Sequence, residues 1–114
     1  MRDTRPIVWL KAARRDFEDF PAEAQLICER ALTIVAEGRT PDLAKPLKGF
    51  GSGVLELALA FRGDAYRVVY AVLLGADVWV IHAFQKKSKS GIKTPKQELD
   101  LIDARLRRVK EMLK

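Results

Sequence analysis

The sequence predicts a single α+β domain: a strand, two helices, a three-strand antiparallel meander and a C-terminal helix. Three observations lead there. Apolar residues recur at helical spacing near both ends of the chain. The middle carries three runs rich in β-branched and aromatic residues, separated by short turns containing Gly and Asp. With 114 residues, 48% of them apolar, the chain can bury one core between two packed layers.

Residues 6–10, PIVWL, form a short strand candidate. Residues 11–20 have helical spacing, with Phe17 and Phe20 on one side. Pro21 suits the first turn of a second helix that runs to about Glu37, striped by Ala24, Ile27, Cys28, Ala31 and Val35. Gly38 fits the position just past its end. Residues 39–53 read as a loop rich in Pro and Gly, with Lys45 and Lys48 exposed. The meander follows at 54–61, 65–74 and 78–85. Two-residue turns at 63–64 and 75–76 fix its register, because side chains alternate faces. One face then collects Leu55, Leu57, Leu59, Phe61, Tyr66, Val68, Tyr70, Val72, Trp79, Ile81 and Ala83, to be packed by the N-terminal helices. The other collects Glu56, Ala58, Ala60, Arg67, Val69, Ala71, Leu73, Val78, Val80, His82, Phe84 and Lys86, with the last helix as its cover. On that second face Arg67 falls across from Phe84, with His82 and Lys86 as diagonal neighbours. The last helix opens with Thr94 as N-cap, Pro95 at the first helical position and Gln97 completing a capping box. Glu98 complements the helix dipole. Leu99, Ile102, Leu106, Val109 and Leu113 form its apolar stripe, and Asp103 and Arg107 can pair on its exposed side.

The formal charge is +6 and the pI about 9.7. That balance favours an acidic partner, nucleic acid first, although an acidic protein or mere solubility produces the same figure. No apolar run approaches the roughly 18 residues of a membrane span, and the start MRDTRPIVW lacks the apolar stretch of a signal peptide. A cytoplasmic location is the expectation, with no membrane partner. One His and one Cys make a protein-only zinc site improbable, and no cofactor is expected. Cys28 reads as a small buried hydrophobe, ahead of a catalytic thiol. The sequence has no Gly-rich phosphate loop ending in Lys-Ser/Thr and no carboxylate cluster suited to magnesium.

The densest chemistry lies between His82 and Lys96, where Lys86, Lys87, Lys89, Lys93 and Lys96 occur with no acid among them. Taken alone, such a run is most often solvated surface. Its position beside His82 makes contact with a polyanion the better reading. His82 at a strand end is by default structural, but Arg67 and Lys86 on the same face raise its claim to catalysis. Nearby cations would keep it neutral, as a general base requires. Phe84 is by default a core residue and could stack on a base if exposed. Arg67 could grip a phosphate with its planar fork, or equally well form a structural ion pair with Glu56. Self-cleavage of RNA by its 2′-hydroxyl needs a base, cations on the phosphorane and an acid for the leaving oxygen, with no metal. Arg67, His82, Lys86 and Lys87 could supply these.

Three stretches, LAKPLKGFGSGVLEL (43–57), GDAYRVVYAV (63–72) and VIHAFQKKSKSGIKTPKQELDLIDARL (80–106), together with the strand–helix–helix start, resemble the RelE/ParE superfamily of bacterial toxins, in its HigB-like, phage-related branch. The resemblance covers essentially the whole chain. It implies the toxin of a type II toxin–antitoxin system, acting at the ribosome as a metal-independent mRNA endonuclease. It also implies a small helix-turn-helix antitoxin as partner. The family's Tyr-Arg-Val segment falls on Arg67, and its His-x-Phe-x-Lys-Lys segment on His82, Phe84, Lys86 and Lys87. The resemblance thus makes Arg67, His82 and Lys86 the catalytic candidates, with Phe84, Lys87, Lys89, Lys93 and Lys48 as RNA-binding residues. Where many relatives carry Glu-Leu-Arg, this chain has Glu56-Leu57-Ala58, so one cation of the family site is missing, and Arg62 can replace it only in part. The superfamily also holds gyrase poisons. A non-enzymatic gyrase inhibitor and a basic nucleic-acid-binding module therefore stand as alternatives.

Overall fold

The structure, a computed structural model, describes residues 4–86 and 94–114. The elements are β1 (Ile7–Trp9), α1 (Lys11–Phe17), α2 (Ala22–Ala36), β2 (Ala44–Pro46), β3 (Val54–Phe61), β4 (Asp64–Ala71), β5 (Val78–Lys86) and α3 (Lys96–Met112). The sheet order is β1-β5-β4-β3-β2. β1 runs parallel to β5, and the other neighbours are antiparallel. The expected α+β architecture is what the chain adopts, with one strand more than expected. Within the supposed loop 39–53, Ala44–Pro46 pairs with β3 as a short edge strand, where proline is tolerated.

α1 stops at Phe17 rather than Phe20. The amides of Asp19 and Phe20 bond three residues back, and Pro21, which has no N–H, sits in extended backbone as the N-cap of α2. α2 ends as expected. Gly38 has φ of 88°, its amide reaches the Val35 carbonyl, and the Arg39 amide reaches that of Ile34, a Schellman closure.

α1 and α2 cover one sheet face. Leu57, Val68, Tyr70, Val78 and Val80 meet Ala24, Cys28, Ala31 and Leu32 there. A run of rings from Trp9 through Phe17 and Phe20 to Tyr66, with centroids 4.7, 5.3 and 4.9 Å apart, closes the end of this core. Cys28 is buried in it, and that burial, with Glu29 adding to it, pushes the thiol up to about 11, in keeping with the apolar reading. α3 covers the other face with Ile102, Leu106 and Val109 against Val54, Val69, Ala71 and Ile81. Leu113 lies outside that stripe and is exposed.

Both turns of the meander depart from expectation. The first is at Arg62-Gly63, not 63–64, with φ of 52° and 86°, a primed hairpin turn matched to strand twist. The register moves by two residues, so the faces are unchanged, and Ala58 rather than Ala60 lies opposite Arg67. The second connection is longer, because β4 ends at Ala71 and β5 begins at Val78. Arg5 spans it, donating to the carbonyls of Val72, Ala76 and Asp77 at 2.7–2.9 Å.

A β-bulge corrects the expected faces of β5. Val69 pairs with His82 but Tyr70 pairs with Val80, leaving Ile81 as the extra residue. Ile81 and His82 therefore both point toward α3. Upstream of the bulge the alternation is inverted. Val78 and Val80 enter the α1/α2 core, and Trp79 packs on the α3 side. Downstream, Arg67 lies across from Phe84, as the alternation requires.

Candidate functional site

The bulge and the short reach of β1 together make the site. β1 pairs with β5 only as far as Val80, so the rest of β5 borders a cavity of about 370 Å³ between α1 and α3. His82, Phe84 and Gln85 line it from the strand, Asp16 from α1, Asp19 and Phe20 from the turn after it, and Glu98 and Leu101 from α3.

His82 is 2% exposed, and both its ring nitrogens are engaged. Nε2 lies 2.6 Å from Glu98 Oε1, and Nδ1 lies 2.6 Å from Arg105 Nη1. A guanidinium can only donate, so Nδ1 is the acceptor and Nε2–H donates to the carboxylate. That fixes one neutral tautomer. Burial holds the His82 pKa below its ordinary value. The bond to Glu98 opposes that shift and the Arg105 charge reinforces it. The neutral state was expected from neighbouring cations, but burial is its main cause. Arg105 also donates to the Ile81 carbonyl at 3.3 Å and lies 3.8 Å from Asp16.

A second polar cluster sits on the same face one strand over. Glu56, 1% exposed, receives Arg67 Nη1 on Oε1 at 2.8 Å and the Thr94 hydroxyl on Oε2 at 2.9 Å, with Lys45 Nζ 3.9 Å from Oε1. Arg67 is 6% exposed. The ion pair weighed as the structural alternative for Arg67 is present. The engagement of Thr94 corrects the expected capping box. Its hydroxyl is given to Glu56, and Pro95 in extended backbone is the N-cap, without a side-chain cap bond.

Phe84 is buried against His82, ring centroids 5.4 Å apart, so it is not presented for base stacking. Lys86 is half-buried at the end of β5, opposite Ala65. Lys48 is exposed and, with Lys45, Glu56, Thr94 and Leu99, lines a separate cavity of about 430 Å³. Lys87, Lys89 and Lys93 lie outside the described residues. The structure thus sets Arg67, His82 and Phe84 as strand neighbours on one face, while Arg67 and His82 bind different carboxylates.

No motif in the sequence marks Glu98 and Arg105 as site residues. Their signal is nonetheless present: Glu98, Ile102, Arg105 and Val109 recur at helical spacing, which puts two charges inside an apolar stripe.

These features define an α+β protein whose lone histidine is held neutral between an arginine and a glutamate at the open end of a sheet. Residues 15–107 match the family described as Phage derived protein Gp49-like (DUF891), and the chain belongs to that family. Among solved structures it is similar to a chain of the RelBE2 toxin–antitoxin complex from Mycobacterium tuberculosis. That likeness has 22% identity and a TM-score of 0.46, and covers 77% of this chain and 98% of the other. No curated protein matches it. No helix among the described residues is long and apolar enough to cross a membrane.

Proposed function

We propose that the chain is the toxin of a type II toxin–antitoxin pair and a metal-independent endoribonuclease acting on ribosome-bound mRNA. The resemblance to HigB-like toxins over 43–57, 63–72 and 80–106 supports it, as does membership of a phage-derived family. The observation that carries the chemistry is the grouping of Arg67, His82 and Phe84 on one sheet face, with Lys86 at its open end.

In this reading neutral His82 takes the proton of the 2′-hydroxyl. The 2′-oxygen attacks the adjacent phosphorus, and the P–O5′ bond breaks. Lys86 protonates the leaving O5′, giving a 2′,3′-cyclic phosphate and a 5′-hydroxyl. Arg67 stabilises the phosphorane, in competition with Glu56. Lys48 and the lysines at 87, 89 and 93 hold the flanking phosphates. A reading as a non-enzymatic gyrase inhibitor, or as a basic nucleic-acid-binding module, is favoured by a different observation: Ala58 stands opposite Arg67, where the resemblance calls for a second arginine.

The partner in this proposal is a small helix-turn-helix antitoxin that binds the exposed side of α1 and α2. Arg14, Arg15, Glu18 and Glu29 offer charge pairing there, beside the exposed Leu26. Co-purification with the product of the adjacent gene checks it.

The test of the activity uses purified protein, ribosomes and a programmed mRNA. The expected products end in 2′,3′-cyclic phosphate, and His82→Ala and Lys86→Ala each lower the rate by ~10²–10⁴-fold. Full activity in a folded His82→Ala protein would remove His82 from the mechanism.

A further inference from the structure

We propose that Arg105 is a positioning residue that caps the Nδ1 lone pair of His82 and releases it when a phosphate of the RNA takes the guanidinium. The inference rests on the endonuclease reading and adds to it a control on its base. His82 cannot accept a proton in the arrangement seen. Its Nε2–H is given to Glu98 and its only lone pair is held by Arg105 at 2.6 Å. A base that starts blocked needs a group that leaves when substrate arrives.

Arg105 is suited to that exchange. Its side chain is 15% exposed against 2% for His82, so a ligand meets the guanidinium first. It is held by a neutral nitrogen, by a carbonyl at 3.3 Å and by Asp16 at 3.8 Å, none of them a bidentate partner. A phosphodiester offers two anionic oxygens that match the guanidinium fork, a stronger acceptor set than an imidazole lone pair. Once Arg105 turns to phosphate, Nδ1 is bare beside the bound backbone. Glu98 stays on Nε2–H, keeps the tautomer and stabilises the imidazolium formed when Nδ1 takes the 2′-hydroxyl proton. Among the described residues, the charged groups facing His82 are Glu98 and Arg105 from α3 and Asp16 from α1, with Asp19 lining the same cavity.

His82 is the sole histidine of the chain, so its imidazole nitrogens can be followed by NMR without assignment. The probe is a short 2′-O-methyl RNA, whose blocked hydroxyl prevents cutting. The free protein should show the Nε2–H tautomer. Adding the RNA should move the Nδ1 resonance toward that of an unbonded nitrogen and raise the pH at which His82 titrates. Arg105→Gln should raise that pH without RNA and abolish the further rise, and Arg105→Lys should restore the low titration in part. Glu98→Gln should lower it. An Nδ1–H tautomer, or a wild-type His82 that ignores bound RNA, would overturn the proposal even if Arg105→Gln fails to fold. A protein with the expected NMR behaviour that leaves ribosomal mRNA intact would keep the exchange and lose the endonuclease reading.

Discussion

At the scale of the residue, His82 shows how one side chain can be read correctly in place and incompletely in chemistry. Its strand, its face and its neutrality follow from the sequence. Its partners do not, because Glu98 and Arg105 lie 16 and 23 residues away on a helix whose rotation alone brings them to it. The same burial has a consequence for stability. A histidine whose folded pKa is depressed favours the neutral form, so the unfolded chain binds more protons as pH falls through the ordinary value near 6.5. Stability contributed by His82 is therefore present above about 6.5 and lost below it. Denaturation midpoints should fall between about pH 7 and 5, and His82→Gln should flatten that slope. An equally steep slope in the variant would assign the effect to carboxylates instead.

At the scale of the element, the three strands of the meander are legible because their residue types and the turn-forming Gly63 mark them, although the turn itself closes one residue earlier than expected, at Arg62-Gly63. The bulge is not. Nothing in Trp79-Val80-Ile81-His82 marks which residue is extra, since all four suit a strand. The choice is made by packing, which sends Val80 to the α1/α2 core and Ile81 to α3. β2 was missed for a similar reason: three residues containing a proline carry too little pattern to stand out from a loop. The start of α3 is ambiguous in the sequence because Thr94 has two competing uses, and the buried carboxylate of Glu56 takes its hydroxyl ahead of a helix amide. That competition predicts a ranking. Glu56→Gln breaks the buried ion pair between Arg67 and Glu56 and should cost roughly 3–5 kcal/mol. Thr94→Val removes one hydrogen bond to a carboxylate and should cost about 1.5–3 kcal/mol. Chemical denaturation of the two variants checks the order, and a larger loss in Thr94→Val would reverse it.

At the scale of the whole molecule, the charge is the property with the longest reach. A +6 chain that meets a phosphate backbone through several lysines should bind ribosomes or RNA with a steep dependence on salt. Replacing Lys89 and Lys93 together with Gln should reduce the slope of log affinity against log salt by about 1–2, without moving the cut sites. An unchanged slope would return both lysines to the solvated surface. The same scale holds the central claim, that the α+β fold presents His82 at its open end to cut mRNA. It is tested most directly by mapping mRNA 5′ ends after brief expression in growing cells. New ends inside codons of translated messages, absent with His82→Ala, are the expected result. Growth arrest with intact messages, or with breaks in DNA instead, would contradict it.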